Sequence, residues 1–218
     1  MNKHYIHIMI FFIMLINNLN GFCNILSIDS IASLLIQSIE DNNYEQFIRY
    51  FPIKENTFNA IFGFYENSFN YDEFPNVNVN TFSASTGILY NKSYRYISFL
   101  FDSICNDTTQ WQLYGDYLTL ILVDLCAEIY DWDADAQNYL QDGMIELING
   151  KKDFWIYTMN LDNEKFHKFW HFIFDGPTAN EKLYEQVLSL LTNKHKKQEI
   201  IKKTYMDIYK KQRFEGIL

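Results

Sequence analysis

The chain has 218 residues, with 27 Asp and Glu against 18 Lys and Arg, for a formal charge of −9. That deficit of positive charge argues against a nucleic-acid partner, whose phosphates need a basic face. Phe and Tyr are abundant, with 19 and 16 copies, while Gly and Pro number only 8 and 3, a balance that disfavours a turn-rich all-β protein or a glycine-cradled nucleotide site.

Residues 1–23 read as a secretory signal peptide. Lys3 supplies the charged start, and Ile6–Ile16 is an apolar run too short to span a bilayer. Cleavage is expected near Gly21-Phe22-Cys23, giving an exported protein, periplasmic or secreted. Anchoring through a lipid on Cys23 is the weaker alternative, because Phe22 is not the small residue that such a signal wants. The mature chain has no other stretch able to cross a membrane. Residues 24–218 then form one helical domain of about 195 residues, enough for a well-buried core.

In chain order, Ser27–Glu40 carries Ile28, Ile31, Leu34, Leu35 and Ile39 at helical spacing, with Ser27 or Asp29 as cap. After Asp41-Asn42-Asn43, a short helix turns Tyr44, Phe47, Ile48 and Phe51 inward and stops at Pro52. Thr57–Tyr65 repeats the period through Phe58, Ile61, Phe62 and Tyr65. Residues 67–91, rich in Asn and Ser, read as a long irregular surface loop, with Val77, Val79 and Phe82 hinting at a short edge strand or hairpin.

Helices resume at Ser93, with a stripe of Tyr94, Ile97, Phe101 and Ile104. Gln110–Tyr130 is nearly all apolar, including Leu113, Tyr117, Leu118, Leu120, Ile121, Val123, Leu125 and Ile129, as expected of a central helix buried on several sides. Asp131 caps the next helix, which runs from Trp132 to about Asn149. Phe154, Trp155 and Tyr157 form a short aromatic segment.

Leu161–Pro177 organises the chain. Phe166, Phe169, Trp170, Ile173 and Phe174 form an apolar stripe, Asp162 caps its start, and Gly176 in a left-handed conformation before Pro177 ends it. Thr178 with Glu181 suggests a capping box for a helix using Leu183, Tyr184, Val187, Leu188 and Leu191. A last helix, Lys196–Gln212, buries Ile200, Ile201, Tyr205 and Ile208. The fold class is all-α, a compact array of about seven to nine helices.

Two segments, Trp132-Asp133-Ala134-Asp135-Ala136 and Phe169-Trp170-His171-Phe172-Ile173-Phe174-Asp175-Gly176-Pro177, carry a resemblance. With Phe62-Gly63-Phe64 and Gly87-Ile88-Leu89-Tyr90, they make Phe58–Tyr205 similar to a group of uncharacterised secreted bacterial proteins. The resemblance implies an exported helical protein and brings no catalytic residues with it. Thr178-Ala179 departs from the polar residue such proteins often carry after the Pro.

Charge patterning supplies the candidate sites. Between Tyr96 and Gly150 there are ten carboxylates and no Lys or Arg, whereas Lys194–Arg213 holds eight basic residues. The acidic middle could bind a cationic partner; the plainer reading is a solvated face, or one lying beside the basic last helix. Asp131, Asp133, Asp135 and Asp142 overlap calcium-loop spacing, yet Ala136 stands where that loop needs Gly, and acids at a helix start have their own explanation. His167 and His171, four apart, could share a metal; Lys168 between them opposes it, and flank residues hydrogen-bonding to neighbours are the simpler reading. Cys105 and Cys126 could pair in an oxidising compartment or stay as two buried thiols, which helical geometry favours.

No metal and no cofactor are expected. The preferred reading is a non-enzymatic protein- or peptide-binding module of the cell envelope, acting through the acidic middle or the 67–91 loop. The alternative is a metal-assisted hydrolase using His167 and His171 with an acid from Asp131–Asp135.

Overall fold

The computed structural model describes residues 26–63, 86–105, 111–129, 136–150, 154–176 and 180–214. Among them stand ten α-helices, one 3-10 turn and no β-strand. The all-α expectation holds, with one helix more than the upper bound. The addition is the aromatic segment, which closes into a single helical turn.

The first layer is built from α1 (Ile28–Glu40), α2 (Tyr44–Tyr50) and α3 (Glu55–Phe62). Ser27 caps α1 by accepting from the Ser30 N–H at 3.2 Å, and Asn43 caps α2 by accepting from Gln46 at 3.0 Å. Asn42, at φ 52°, makes the tight corner between them. Helix α3 begins two residues before the expected Thr57 and ends at Phe62; the expected Tyr65 lies outside the described residues.

The segment 87–89 closes the end of α3. The backbone N–H groups of Gly87, Ile88 and Leu89 donate to the carbonyls of Gly63, Ala60 and Ile61, at 2.8, 3.3 and 2.7 Å. These carbonyls have no partner within their own helix, so another segment's amides satisfy them. The approach is close enough that a Cβ on Gly87 would lie 2.6 Å from Ile61 backbone atoms. Leu89 is buried, and Tyr90–Lys92 forms the 3-10 turn. The expected surface loop is therefore corrected at its far end: from Thr86 it is packed chain. Val77, Val79 and Phe82 lie outside the described residues.

Helix α4 (Ser93–Cys105) turns Tyr96, Ile97, Leu100 and Phe101 inward. Tyr94, expected in the stripe, is instead 64% exposed and meets Tyr139 edge-on. Tyr96 takes the buried place because the rings of Phe47 and Phe62 lie 6.4 and 5.9 Å from it. Helix α5 (Trp111–Ile129) buries Leu118, Leu122, Leu125, Cys126 and Ile129 along one face. Thr119, Val123 and Ala127 are buried on an adjoining face, so α5 is buried on more than one side, as its composition suggested; Leu120 lies in an exposed stripe with Asp116, Asp124 and Glu128, and Ile121 is half-buried. Cys126 is a free thiol, and burial pushes its pKa up; the side chain of Cys105 lies outside the described residues.

Helix α6 (Ala136–Gly150) packs on α4. The contact depends on Gly143, where a Cβ would lie 2.1 Å from the Phe101 ring. Then follow α7 (Trp155–Met159), α8 (Asn163–Phe174), α9 (Glu181–Leu190) and α10 (His195–Phe214). Helix α8 is the hub, lying between α5 and α10 with α6 at its end. It buries Phe166, Phe169, Trp170, Phe172, Ile173 and Phe174, more than one stripe. Buried apolar side chains from α1 through α10 make one contiguous cluster.

Both ends of α8 are tied. Asp162 accepts from the Lys165 N–H at 2.9 Å, as expected of a cap. At the other end Gly176 does not adopt the left-handed conformation. Instead the buried Gln141 amide of α6 donates to the carbonyls of Phe172 and Asp175 at 2.5 and 2.6 Å, and Gln212 of α10 donates to Gly176 at 2.7 Å. Side chains from two other helices do what a glycine cap would have done. Helix α9 is capped by Asn180, which accepts from Leu183 at 3.1 Å; the expected Thr178 box is displaced by two residues.

Candidate functional site

Three places were candidates. The first is the histidine pair. His167 and His171 stand on α8 with ring centroids 6.0 Å apart, beside the aromatic face. His167 Nδ1 lies 2.7 Å from Thr204 Oγ1, whose hydroxyl donates to the Ile200 carbonyl at 2.8 Å. With its one hydrogen so used, Thr204 must accept, and Nδ1 carries the proton. Burial lowers the His167 pKa, and His171, Lys203 and Lys168 lower it further against the opposing pull of Asp207. His167 thus serves as a bridge between α8 and α10. Among the described residues no three His, Cys, Asp or Glu side chains gather as a metal-binding group.

The second is the acidic middle. Asp131, Asp133 and Asp135 lie outside the described residues, so their relation to the histidines is not described. The acids of α5 that are described reach neighbouring elements. Asp116 accepts from the Tyr157 hydroxyl at 2.6 Å, Asp124 pairs with Lys165 at 2.9 Å, and Glu128 takes the Glu55 N–H at 3.4 Å. A side-chain hydrogen bond to Asp124 holds the Lys165 pKa above its ordinary value. These carboxylates clamp α3, α7 and α8 onto α5. The basic helix packs chiefly on α8 and α9. Lys197 lies over the Phe166 ring at 4.0 Å and donates to the Leu161 carbonyl at 2.8 Å.

The third is a pair of clefts on opposite sides of α8. A polar one of about 460 Å³ is walled by Lys54, Glu55, Glu128, Lys165 and Lys168. Two of its three lysines already face acids: Lys165 is paired with Asp124, and Lys168 with Glu164 at 2.8 Å. The other, of about 240 Å³, has a floor of Phe154, Phe166, Trp170, Val187 and Leu191, all buried. Trp155, Met159 and Leu190 form its apolar margin, and Asn149 and Gln186 its polar one. None of the twelve described residues that line it is titratable. Leu190 at this mouth is 48% exposed, and Ile156, next to Trp155 on α7, is 46% exposed. The Trp170 indole N–H is buried without a hydrogen-bond partner. That atom is sealed from solvent, so the cleft meets the ring and not its donor.

Sequence reasoning missed this cleft because its walls come from α6, α7, α8 and α9, spread over residues 148–191 and joined only by tertiary packing. The available signal was the short aromatic segment, whose apolar residues are too many for one turn of helix to bury. The described residues include no helix long and apolar enough to cross a membrane. No family model matches the chain, and neither does any curated protein or solved structure.

Proposed function

We propose that this chain is an exported, non-enzymatic binding module of the cell envelope that engages a protein or peptide partner through the apolar cleft between α6, α7, α8 and α9. The observation carrying the proposal is a cleft with a buried aromatic and aliphatic floor, exposed apolar residues at its mouth and no titratable side chain among the described residues of its lining. General acid–base chemistry needs a group that exchanges a proton, and nucleophilic chemistry needs one activated by such a group. A neutral apolar lining supplies neither, but it does supply the desolvated centre from which binding interfaces draw most of their energy. The short apolar run at Ile6–Ile16 and the resemblance to secreted bacterial proteins support export. The cleft replaces the acidic middle as the proposed binding face, because the described α5 acids are engaged with neighbouring elements.

A photo-reactive phenylalanine analogue placed at Leu190 in the native host should cross-link a defined envelope partner. The same analogue at Glu199, exposed on α10, should not. Leu190→Asp should abolish co-purification of that partner with little effect on Tm. Equal cross-linking from both positions, or none from Leu190, would overturn the reading. Zinc-dependent hydrolysis by the purified chain, lost in His167→Ala, would favour the hydrolase instead.

A further inference from the structure

We infer that the cleft receives one large neutral apolar side chain of a peptide segment, with Asn149 and Gln186 holding that segment's main chain at the rim. The inference rests on the proposed binding role and names what is bound.

Three observations converge on it. The volume, about 240 Å³, sits between an engineered cavity of roughly 150 Å³ that accepts benzene and the roughly 300–1,000 Å³ of small-molecule and cofactor pockets. That is room for one leucine- or phenylalanine-sized group and too little for a cofactor or a long acyl chain. Among the described residues the lining offers no titratable group, which favours a neutral guest, because a charge set against that floor would lose its water and meet no counter-ion from it.

The polar lining completes the argument. Thr158 is fully buried, and its hydroxyl already donates to the Trp155 carbonyl at 3.0 Å, so it adds no free donor to the floor. Asn149 and Gln186, by contrast, are exposed where α6 and α9 border the opening. A primary amide both donates and accepts, which matches the alternating N–H and C=O groups of an extended chain. Greasy floor and amide rim together suit a side chain still attached to its peptide better than a free hydrocarbon or an anion.

The test uses the full chain, labelled with 15N, and four probes followed by NMR: toluene, N-acetylphenylalaninamide, N-acetylaspartamide and octanoate. N-acetylphenylalaninamide should shift resonances of Trp155, Thr158, Val187 and Leu191 and bind at least fivefold tighter than toluene. N-acetylaspartamide and octanoate should leave them unmoved. The double variant Asn149→Ala, Gln186→Ala changes exposed residues only, and unchanged resonances from α1 to α3 will confirm its fold. It should bring the amide probe down to the affinity of toluene while leaving toluene itself unaffected. Toluene binding as tightly as the amide probe, or an amide advantage that survives the double variant, would sink the peptide assignment and leave the cleft as a binding site. Octanoate as the tightest probe would replace the peptide with a fatty-acid ligand. Failure of all four probes to bind would remove this inference and the binding reading together.

Discussion

Helix α8 walls two clefts, and they could hardly differ more. Lys165 and Lys168 face a polar one in which cations meet acids from α5 or from their own helix. Phe166 and Trp170, one and two positions further on, floor an apolar one whose described lining brings no charge. The polar cleft is larger, but two of its three lysines already have acid partners, which a ligand drawn to them must displace. The apolar cleft is smaller, and a fitting side chain would displace only water. Ion pairs already formed, rather than size, mark the polar cleft as a seam between helices.

The widest separation between the two sides should come from truncating their walls. Trp170→Ala removes a buried aromatic side chain from the hub helix and should cost roughly 3–5 kcal/mol in a urea melt. A loss under 1 kcal/mol would show that the floor of the apolar cleft is not core. Trp170→Phe sharpens the point, because it also removes the buried N–H that has no partner. Relief of that donor offsets part of the lost packing, so this variant should cost only about 1 kcal/mol.

Next in size is the support that holds α8, and with it both clefts. Gln141→Leu fills the same space without donors, leaving the buried carbonyls of Phe172 and Asp175 without their amide. At roughly 1–3 kcal/mol for each such group, a total of about 2–6 kcal/mol is expected. Thermal melts with a cost below about 1 kcal/mol would mean that water takes over the cap.

These variants also mark what was legible beforehand. Ser27 and Asp162 could be read as caps because a side chain bonding three residues ahead is a local event. The aromatic stripe of α8 was readable from its period. Gln141 was not: as a cap it acts on residues 31 to 34 positions away, and nothing local distinguishes it from a surface glutamine. Gly87 and Gly143 failed for the same reason, since each is needed by a neighbour distant in sequence, Ile61 and Phe101. Tyr94 and Tyr96 both suit an amphipathic α4, and only the rings supplied by α2 and α3 decide between them. The proposed cleft is the extreme case, because a gap between four helices has no sequence of its own.

The polar side should yield a smaller effect. Lys165→Met removes an ion pair whose partners are both about half exposed, with side-chain exposures of 46% and 52%. Exposed pairs are worth about 0–1 kcal/mol, so the variant should shift stability by no more than that, and less in high salt. A loss above 2 kcal/mol would show that the polar cleft contributes to the core and would break the comparison.

The third face of α8, where His167 meets α10, should give the smallest effect, legible only as a trend with pH. His167 has its pKa lowered in the fold, first by burial and then by His171, Lys203 and Lys168, with Asp207 opposing. An unfolded histidine titrates near 6.5, above the folded group. Between those two values the unfolded chain binds a proton that the folded chain refuses. The contribution is therefore intact above about pH 6.5 and is lost as pH falls through the unfolded value toward the folded one. Thr204 does not prevent this, because Nδ1 donates to it in both charge states of the ring. Tm measured from pH 8 down to 5 should fall more steeply for the natural chain than for His167→Gln, which keeps a donor toward Thr204 and has no proton to gain. Comparing the two slopes cancels the titration of every other group that the substitution leaves alone. Parallel slopes would mean that His167 titrates alike in both states, and a shallower slope for the natural chain would mean that Asp207 outweighs burial and the cations around it.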